Sequence, residues 1–446
     1  MQESLSVFDD INNHLASFIK QSPSPFHAVE NIAESLRENG FSFLREQDSW
    51  KLEPGRGYFT TRNGSAIVAF RLPETMGADT PISFQIAATH TDSPAFKVKH
   101  IPTLKGSGGY LTLNVEGYGG MIDSTWLDRP LTLAGRVLVR TETGVESRLV
   151  HFDRDLLLIP NLAIHMNQQV NKGIQLNHQI DLRPLLSAGE LGEESFSLLV
   201  AQQANARPED LLSSELFLVN RQEPTTWGAE REFFSAPKLD NLQGTFACLQ
   251  AFLESENERA ITVLACFDNE EVGSNTKQGA MGTLLKDTLR RCCIAFGSGE
   301  EGFLRAQASS FLVSCDNAHA LHPNHPEKAD ERNRPLLNKG IVVKESSNQK
   351  YTTDAFSRAV FEGICAKANV PFQTFANRSD SAGGSTLGNL SNIQVSMHAV
   401  DVGMPQLAMH SSYETTGALD TLLGGRALAA FYSANLEIHG SRSASF

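Results

Sequence analysis

The chain has 446 residues, a formal net charge of -13 and a hydrophobic fraction of 41%. That length exceeds one ordinary hydrophobic core, so two domains are expected. The negative charge argues against nucleic acid and against an anionic membrane surface as partners, while leaving room for a basic pocket in an acidic whole.

Phe8, Ile11, Leu15, Phe18 and Ile19 fall at helical spacing. Ser22, Pro23, Ser24 and Pro25 interrupt that pattern, and Ala28, Ile32 and Leu36 resume it until Gly40, a natural helix stop. Strands are expected over 65–72 and 82–88. After Pro94 the texture changes to short strand-like runs at 110–116, 131–140 and 147–152, punctuated by glycines at 106–109 and 117–120. Residues 95–234 read as a strand-rich insertion. From Asp240 an α/β alternation resumes, with an amphipathic segment over 244–253, apolar runs at 261–267 and 310–314, and a last helix over roughly 413–436. The economical account is an α/β domain with a mixed sheet and helices on both faces, built from 1–94 and 235–446, with a β-rich domain inserted between.

Six cysteines, Cys248, Cys266, Cys292, Cys293, Cys315 and Cys365, sit mostly inside apolar runs, which suits reduced, buried thiols. With no Cys-x-x-Cys, a structural zinc ribbon is not expected. The opening residues lack the basic start and apolar core of a secretory signal. No run of about 18 apolar residues could span a bilayer. The cytoplasm is the expected location.

The most informative stretch runs from Asp268 to Ser274. Two adjacent glutamates, Glu270 and Glu271, end an apolar strand, where they are costly unless something cationic is near. One carboxylate can then bind a metal while its neighbour handles a proton of the attacking water. Four other segments deliver similar groups. The 82–88 strand runs into His90 and Asp92, a ligand with a carboxylate that could set its tautomer. Asp240 opens a helix, Asp316 follows an apolar run, and His410 follows Met409. Ligands of open α/β sheets collect at the carboxyl ends of strands, so the shared placement of these residues carries the argument.

These motifs resemble the M18 metallo-aminopeptidases, the aspartyl aminopeptidase family. The resemblance rests on His90-Thr91-Asp92-Ser93-Pro94, Asp240-Asn241-Leu242, Asp268 to Ser274, Asp316 to Asn324 and Met409-His410-Ser411. The segments around His27, His165, Lys344 and Ser379 to Gly384 match too, so nearly the whole chain is covered in order. The resemblance implies a zinc-peptidase domain with an inserted dimerisation domain, and two divalent ions, most simply zinc, bridged by Asp240. One ion would take His90 and Asp316, the other Glu271 and His410. Glu270, not a ligand, would take a proton from the water and give it to the leaving amine. It further implies cleavage of N-terminal Asp or Glu from peptides with a free amino terminus, with Lys344 in the side-chain pocket. His165 would reach a neighbouring subunit's site within a dodecamer built from dimers.

Other readings compete. Without the resemblance Lys344 reads as a surface lysine on a strand edge and His165 as a solvated loop residue. His319, His322 and His325 look like a metal tract, but Pro323 and Pro326 break any common helical face; they are expected to be loop residues or to stand one layer out from the metals rather than to be ligands. His27 is expected to be structural. A co-catalytic zinc deacylase or carboxypeptidase would need an arginine clamp for a substrate carboxylate, for which Arg136, Arg140 and Arg148 are candidates. An assembly protein that lost its chemistry would not need Glu270 and five ligand-type residues.

Overall fold

Ile261–Phe267 contains seven apolar or β-branched residues, all buried, as a strand covered on both faces requires. It pairs in parallel with Phe84–His90 and antiparallel with Ala66–Arg71. Phe311–Cys315 and His398–Gly403 extend the parallel run beyond Phe84–His90. Among the described residues the mixed sheet has nine strands. Ser42–Phe43, Gly57–Arg62 and Ala66–Arg71 lie at one end, and Ile341–Glu345 followed by Phe372–Ala376 at the other. The computed structural model describes residues 2–77 and 81–446, with side chains from residue 9 onward. The side chain of Phe8 therefore lies outside the described residues.

Alternate side chains of the central strands feed two cores. Leu264 and Cys266 pack with helices Pro25–Glu38, Leu239–Glu254, Ala355–Lys367 and Asp420–Ser433, along with Leu15, Phe18 and Ile19 of the helix Gln2–Gln21. Val263, Ala265 and Phe267 pack with helices Leu284–Ala295, Gly299–Ala308 and Leu387–Gln394. This period of two, with helices on both faces, is the α/β layering expected from the sequence.

A second, six-stranded sheet runs in the order Gly144–His151, Leu131–Thr141, Leu211–Asn220, Ala95–Lys105, Leu111–Tyr118, Leu185–Ser187. It has its own core around Phe96, Trp126, Leu133 and Leu218, which also takes in Phe26. Arg136 fastens it to the rest: its guanidinium lies 4.2 Å from the Phe26 ring centroid and donates to the Asn63 carbonyl at 2.7 Å. A third sheet joins Thr225–Trp227, Phe233–Ala236, Glu414–Gly417, Pro405–Leu407 and Ala318–His319. Among the described residues no helix is long and apolar enough to cross a membrane.

Besides shifts of a few residues at strand ends, two helices depart from expectation. The last helix is Asp420–Ser433, and the residues expected to begin it, Glu414–Gly417, form a strand against Phe233–Ala236. Thr415 and Thr416 are β-branched and favour the strand, and Asp420 accepts the Gly417 N–H at 3.0 Å where the chain turns into the helix. The helix expected over 244–253 is Leu239–Glu254, with Asp240 and Asn241 departing from helical dihedrals inside it. A Cβ on Gly244 would lie 2.3 Å from Asn241 Oδ1, so glycine permits that departure.

His27 is structural. Its Nδ1 lies 2.7 Å from Ser24 Oγ and its ring packs 6.1 Å from that of His151. Burial, aided by His151 and Lys238, lowers its pKa to about 3. The unfolded chain therefore binds a proton between about pH 6.5 and 3 that the folded chain refuses, and stability falls as pH drops through that window. A His27→Gln variant is expected to show a shallower loss of melting temperature between pH 6.5 and 4 than the parent, in parallel thermal scans.

Candidate metal centre

The parallel strands end at one edge of the nine-stranded sheet, and their last residues turn toward a common point. His90 closes Phe84–His90, Asp316 follows Phe311–Cys315, and Glu270 and Glu271 lie in the turn after Ile261–Phe267. Asp240 comes from the non-helical start of Leu239–Glu254, and His410 from the connection between Pro405–Leu407 and Glu414–Gly417. The Asp240–Asn241 peptide bond is cis.

Asp240 divides the cluster in two. Its Oδ1 lies 3.5 Å from His90 Nε2, which is 3.6 Å from Asp316 Oδ1. Its Oδ2 lies 3.7 Å from His410 Nε2, which is 3.4 Å from Glu271 Oε2. The ligand atoms of His90, Asp240 and Asp316 fall within 4.8 Å of one another, and so do those of Asp240, Glu271 and His410. Each triad could hold one cation. Glu270 forms a third such group with His90 and Glu271.

The donor set fits divalent ions such as zinc, which take His nitrogen and carboxylate oxygen. Asp240 Oδ1 and Glu271 Oε1 are buried without a hydrogen-bond partner. Burial, then the neighbouring Asp240, pushes Glu271 well above the usual carboxylate range. Burial, then Asp316, Asp92 and Asp240, lifts Glu270 to about 8 against the opposing pull of His90. Charges so crowded and dry call for a cation between them.

Asp92 holds this arrangement together. It is fully buried, and its Oδ1 lies 3.4 Å from His90 Nδ1. Oδ1 also accepts the Glu270 N–H, and Oδ2 the Glu271 N–H, each at 3.2 Å. Tyr118, at the end of Leu111–Tyr118 in the second sheet, donates its hydroxyl to Asp92 Oδ2 at 2.7 Å and accepts from Asn269 Nδ2 at 2.9 Å. Around Asp240, Ser93 Oγ donates to its carbonyl at 2.7 Å, and Asn241 Nδ2 donates to Thr89 Oγ1 at 2.8 Å and the Cys315 carbonyl at 2.7 Å.

Lys344 is buried, and its strand Ile341–Glu345 has neighbours on both sides, so it is no strand-edge surface lysine. Its Nζ donates to the Asp316 carbonyl at 2.7 Å, lies 3.7 Å from Asp316 Oδ2, and sits 5.3 Å from the Tyr351 ring centroid. Burial pushes the Asp316 carboxyl up, but Lys344 and His90 prevail and hold it at about 2. His319 packs against Phe375 with ring centroids 6.0 Å apart. It lines a cavity of about 250 Å³ together with Lys328, Arg334 and Arg378. The rings of His322 and His325 lie 5.1 Å apart, tilted by 39°, and join neither triad. His165 is exposed in a turn and, among the described residues, makes no hydrogen bond or ion pair with the cluster of its own chain.

Sequence reasoning overlooked Tyr118 and Glu414. A signal for the first was present in the glycines around it. Gly119 has φ +73°, and a Cβ there would lie 3.0 Å from the Glu271 Cβ, so this turn marks a close approach of the second sheet to the cluster. Glu414 is hidden in a stretch that reads as helix.

A mixed sheet whose strand ends gather histidines and carboxylates into two triads around one shared aspartate defines a metal-dependent hydrolase. A family model described as aminopeptidase I zinc metalloprotease (M18) matches residues 18–432, and the chain belongs to the M18 family of zinc aminopeptidases, hydrolases of peptide bonds. A probable M18 family aminopeptidase 2 of Clostridium novyi (strain NT) is 43% identical over 426 residues, covering 94% of this chain and 98% of that protein. Its counterpart in Pseudomonas aeruginosa (strain UCBPP-PA14) is 39% identical over 433 residues, covering 96% and 99%. A chain from the cryo-electron microscopy structure of the Ape4 and Nbr1 complex superposes with a TM-score of 0.91 at 37% identity, over 96% of this chain and 86% of that one. One from the S. cerevisiae mApe1 dodecamer superposes at 0.83 with 26% identity, over 95% and 97%.

Removing the Tyr118 hydroxyl leaves Asp92 without its shortest hydrogen bond. Partners one layer out from a metal site are commonly worth 10–100-fold. Tyr118→Phe is expected to lower peptidase turnover about tenfold, measured alongside circular dichroism to show the fold retained.

Proposed function

We propose that this chain is a two-metal aminopeptidase that removes acidic amino-terminal residues. The observation carrying the two-metal reading is that the two oxygens of Asp240 face different histidines, His90 and His410, each with its own second carboxylate. His90, Asp316 and Asp240 would hold one zinc; Glu271, His410 and Asp240 the other. Bound there, the ions supply a nucleophile at neutral pH and polarise the scissile carbonyl.

Glu270 belongs to neither Asp240-centred triad, yet stands in a common group with His90 and Glu271. Its carboxylate is free to take a proton from the attacking water and pass it to the leaving amine. Asp92 fixes the His90 ring and, through two amide hydrogen bonds, the backbone that carries Glu270 and Glu271.

The acidic preference rests on charge. The cavity beside the cluster is lined by His319, Lys328 and Arg334, by Arg378, which is paired with Asp380 just outside the lining, and by no carboxylate, with Lys344 behind Asp316. An Asp or Glu side chain entering it meets positive potential in a partly dry setting, where such pairs are strongest. The arginine clamp of a deacylase or carboxypeptidase finds less support. Arg136 is committed to Phe26, Asn63 and Glu215, and Arg148 to Glu146 and the carbonyls of Ala204 and Asn205.

Residues 1–94 and 235–446 would form the catalytic unit, with 95–234 inserted for subunit contacts. Leu162, Ile164 and Met166 are 54%, 48% and 77% exposed beside His165, an apolar face that a second copy would cover. His165 would then complete the neighbour's site, in a dodecamer of dimers like the mApe1 dodecamer, within the cytoplasm.

Hydrolysis of matched peptides with free N-terminal Asp, Glu, Leu or Ala, with and without chelator, tests the reading. Chelator-sensitive cleavage favouring Asp and Glu is expected. Preference for Leu or Ala would discard the specificity alone, and cleavage only of N-blocked peptides would favour the deacylase. Glu270→Gln is expected to lose at least about 100-fold in turnover while retaining its metal by elemental analysis. Lys344→Met should lose kcat/KM on Asp and Glu peptides about tenfold more than on Ala peptides; an equal loss would sink its specificity role.

A further inference from the structure

Glu414 belongs to the strand Glu414–Gly417 of the third sheet, where it pairs with Ala236, four residues before Asp240. Its side chain is buried, with 1% of the residue exposed. Both carboxylate oxygens are occupied by the backbone of residues on the two flanks of the cluster. Oε2 accepts the Asp240 N–H at 2.9 Å, and Oε1 accepts the His410 N–H at 2.7 Å. Gln406 Nε2 reaches Oε1 at 3.5 Å. With both oxygens engaged, Glu414 is poorly placed to be a ligand itself. It ties two ligand-type residues, 170 positions apart, to one rigid group.

His410 needs such a tie. Its φ of +67° is left-handed, which a residue with a Cβ adopts only when its surroundings enforce it. The charge-assisted bond from Glu414 holds its amide, and Ile122 N–H donates to its carbonyl at 2.9 Å. Asp240 is pinned in the same manner, its amide by Glu414 and its carbonyl by Ser93 Oγ. A carboxylate spanning both amides therefore fixes how far His410 Nε2 stands from Asp240 Oδ2, which is 3.7 Å here.

We propose that Glu414 is a positioning residue: by holding the amides of Asp240 and His410 in register, it sets the affinity of the Asp240–Glu271–His410 triad for its cation. The proposal rests on the two-cation reading given above. In Glu414→Gln the side chain keeps its size, but one oxygen becomes an NH2 that faces an N–H, so one tie is lost and replaced by repulsion. Metal-free parent and variant would be titrated with Zn(II) against a competing chelator at fixed pH, reading both dissociation constants. One constant is expected to rise ten- to hundredfold, and to be the one that His410→Ala abolishes. The other should stay within about threefold. Glu414→Asp keeps the charge but shortens the reach. It should shift the same constant and carries the test if the glutamine variant does not fold. A merely structural role would lower the melting temperature of the metal-free variant and leave both constants unchanged, and that result overturns the proposal. Should the parent bind fewer than two ions, the two-cation reading fails first and this proposal fails with it.

Discussion

A buried carboxylate is stable only when donors surround it, and Asp92 meets that condition with groups drawn from three parts of the chain. The His90 ring comes from its own strand end, the Glu270 and Glu271 amides from the next strand, and the Tyr118 hydroxyl from the second sheet. Satisfying one aspartate therefore fixes the ring of one candidate ligand, the backbone of another, and the general-base candidate between them. The rest of the site follows from that placement. On the proposed reading Glu270 and Glu271 would differ in role although they are adjacent: Asp92 holds both amides and leaves both carboxylates free, and of the two it is Glu271 that groups with Asp240 and His410.

Packing alone does not balance the charge. Asp240, Glu270, Glu271 and Asp316 crowd a dry volume in which the Lys344 ammonium stands 3.7 Å from Asp316 and also faces Asp401 on the neighbouring strand. Like charges at these distances, with Asp240 Oδ1 and Glu271 Oε1 unpartnered, are tolerable only if further positive charge belongs there. On the proposed reading, metal binding and folding of this edge of the sheet would be coupled, because the fold gathers the carboxylates and a bound cation would relieve their repulsion.

Much of this could be read from the sequence because the physics was local. Strands buried on both faces announce themselves as apolar runs, and the residues just beyond them, His90, Glu270, Glu271 and Asp316, are where an α/β sheet presents chemistry. Asp240 and His410 were recognisable in motifs but not from periodicity, since one sits in a distorted helix start and the other in a left-handed turn. What stayed hidden was non-local. Tyr118 lies at the end of an ordinary strand, and its meaning depends on the approach of a second sheet. Glu414 sits among residues that read as the start of a helix, yet it belongs to a strand whose partners in Phe233–Ala236 lie 178 to 184 residues away. Lys344 reads as a surface residue because nothing in its neighbours shows that its strand is covered on both edges.

The second sheet reaches the centre through more than Tyr118. The turn after that residue lies against Glu271, Ile122 holds the His410 carbonyl, and Thr125 takes both the amide and the hydroxyl of Ser412. Asn220, at the end of another of its strands, donates to the Ser412 carbonyl at 3.0 Å. Both flanks of the cluster thus lean on residues 118–125 and 220: strand ends of the nine-stranded sheet, the start of Leu239–Glu254 and the turn at His410 supply the ligand-type groups, and the six-stranded sheet braces Asp92 and His410. Leu162, Ile164 and Met166 are exposed in the loop between Gly144–His151 and Leu185–Ser187, and hydrogen bonds from Tyr118 to Asp92 and from Ile122 to the His410 carbonyl connect the second sheet to the cluster. If the chain assembles through that loop as proposed, this wiring would give a physical route by which assembly and catalysis depend on each other, because residues that brace the cluster lie in the same part of the chain as the exposed apolar side chains.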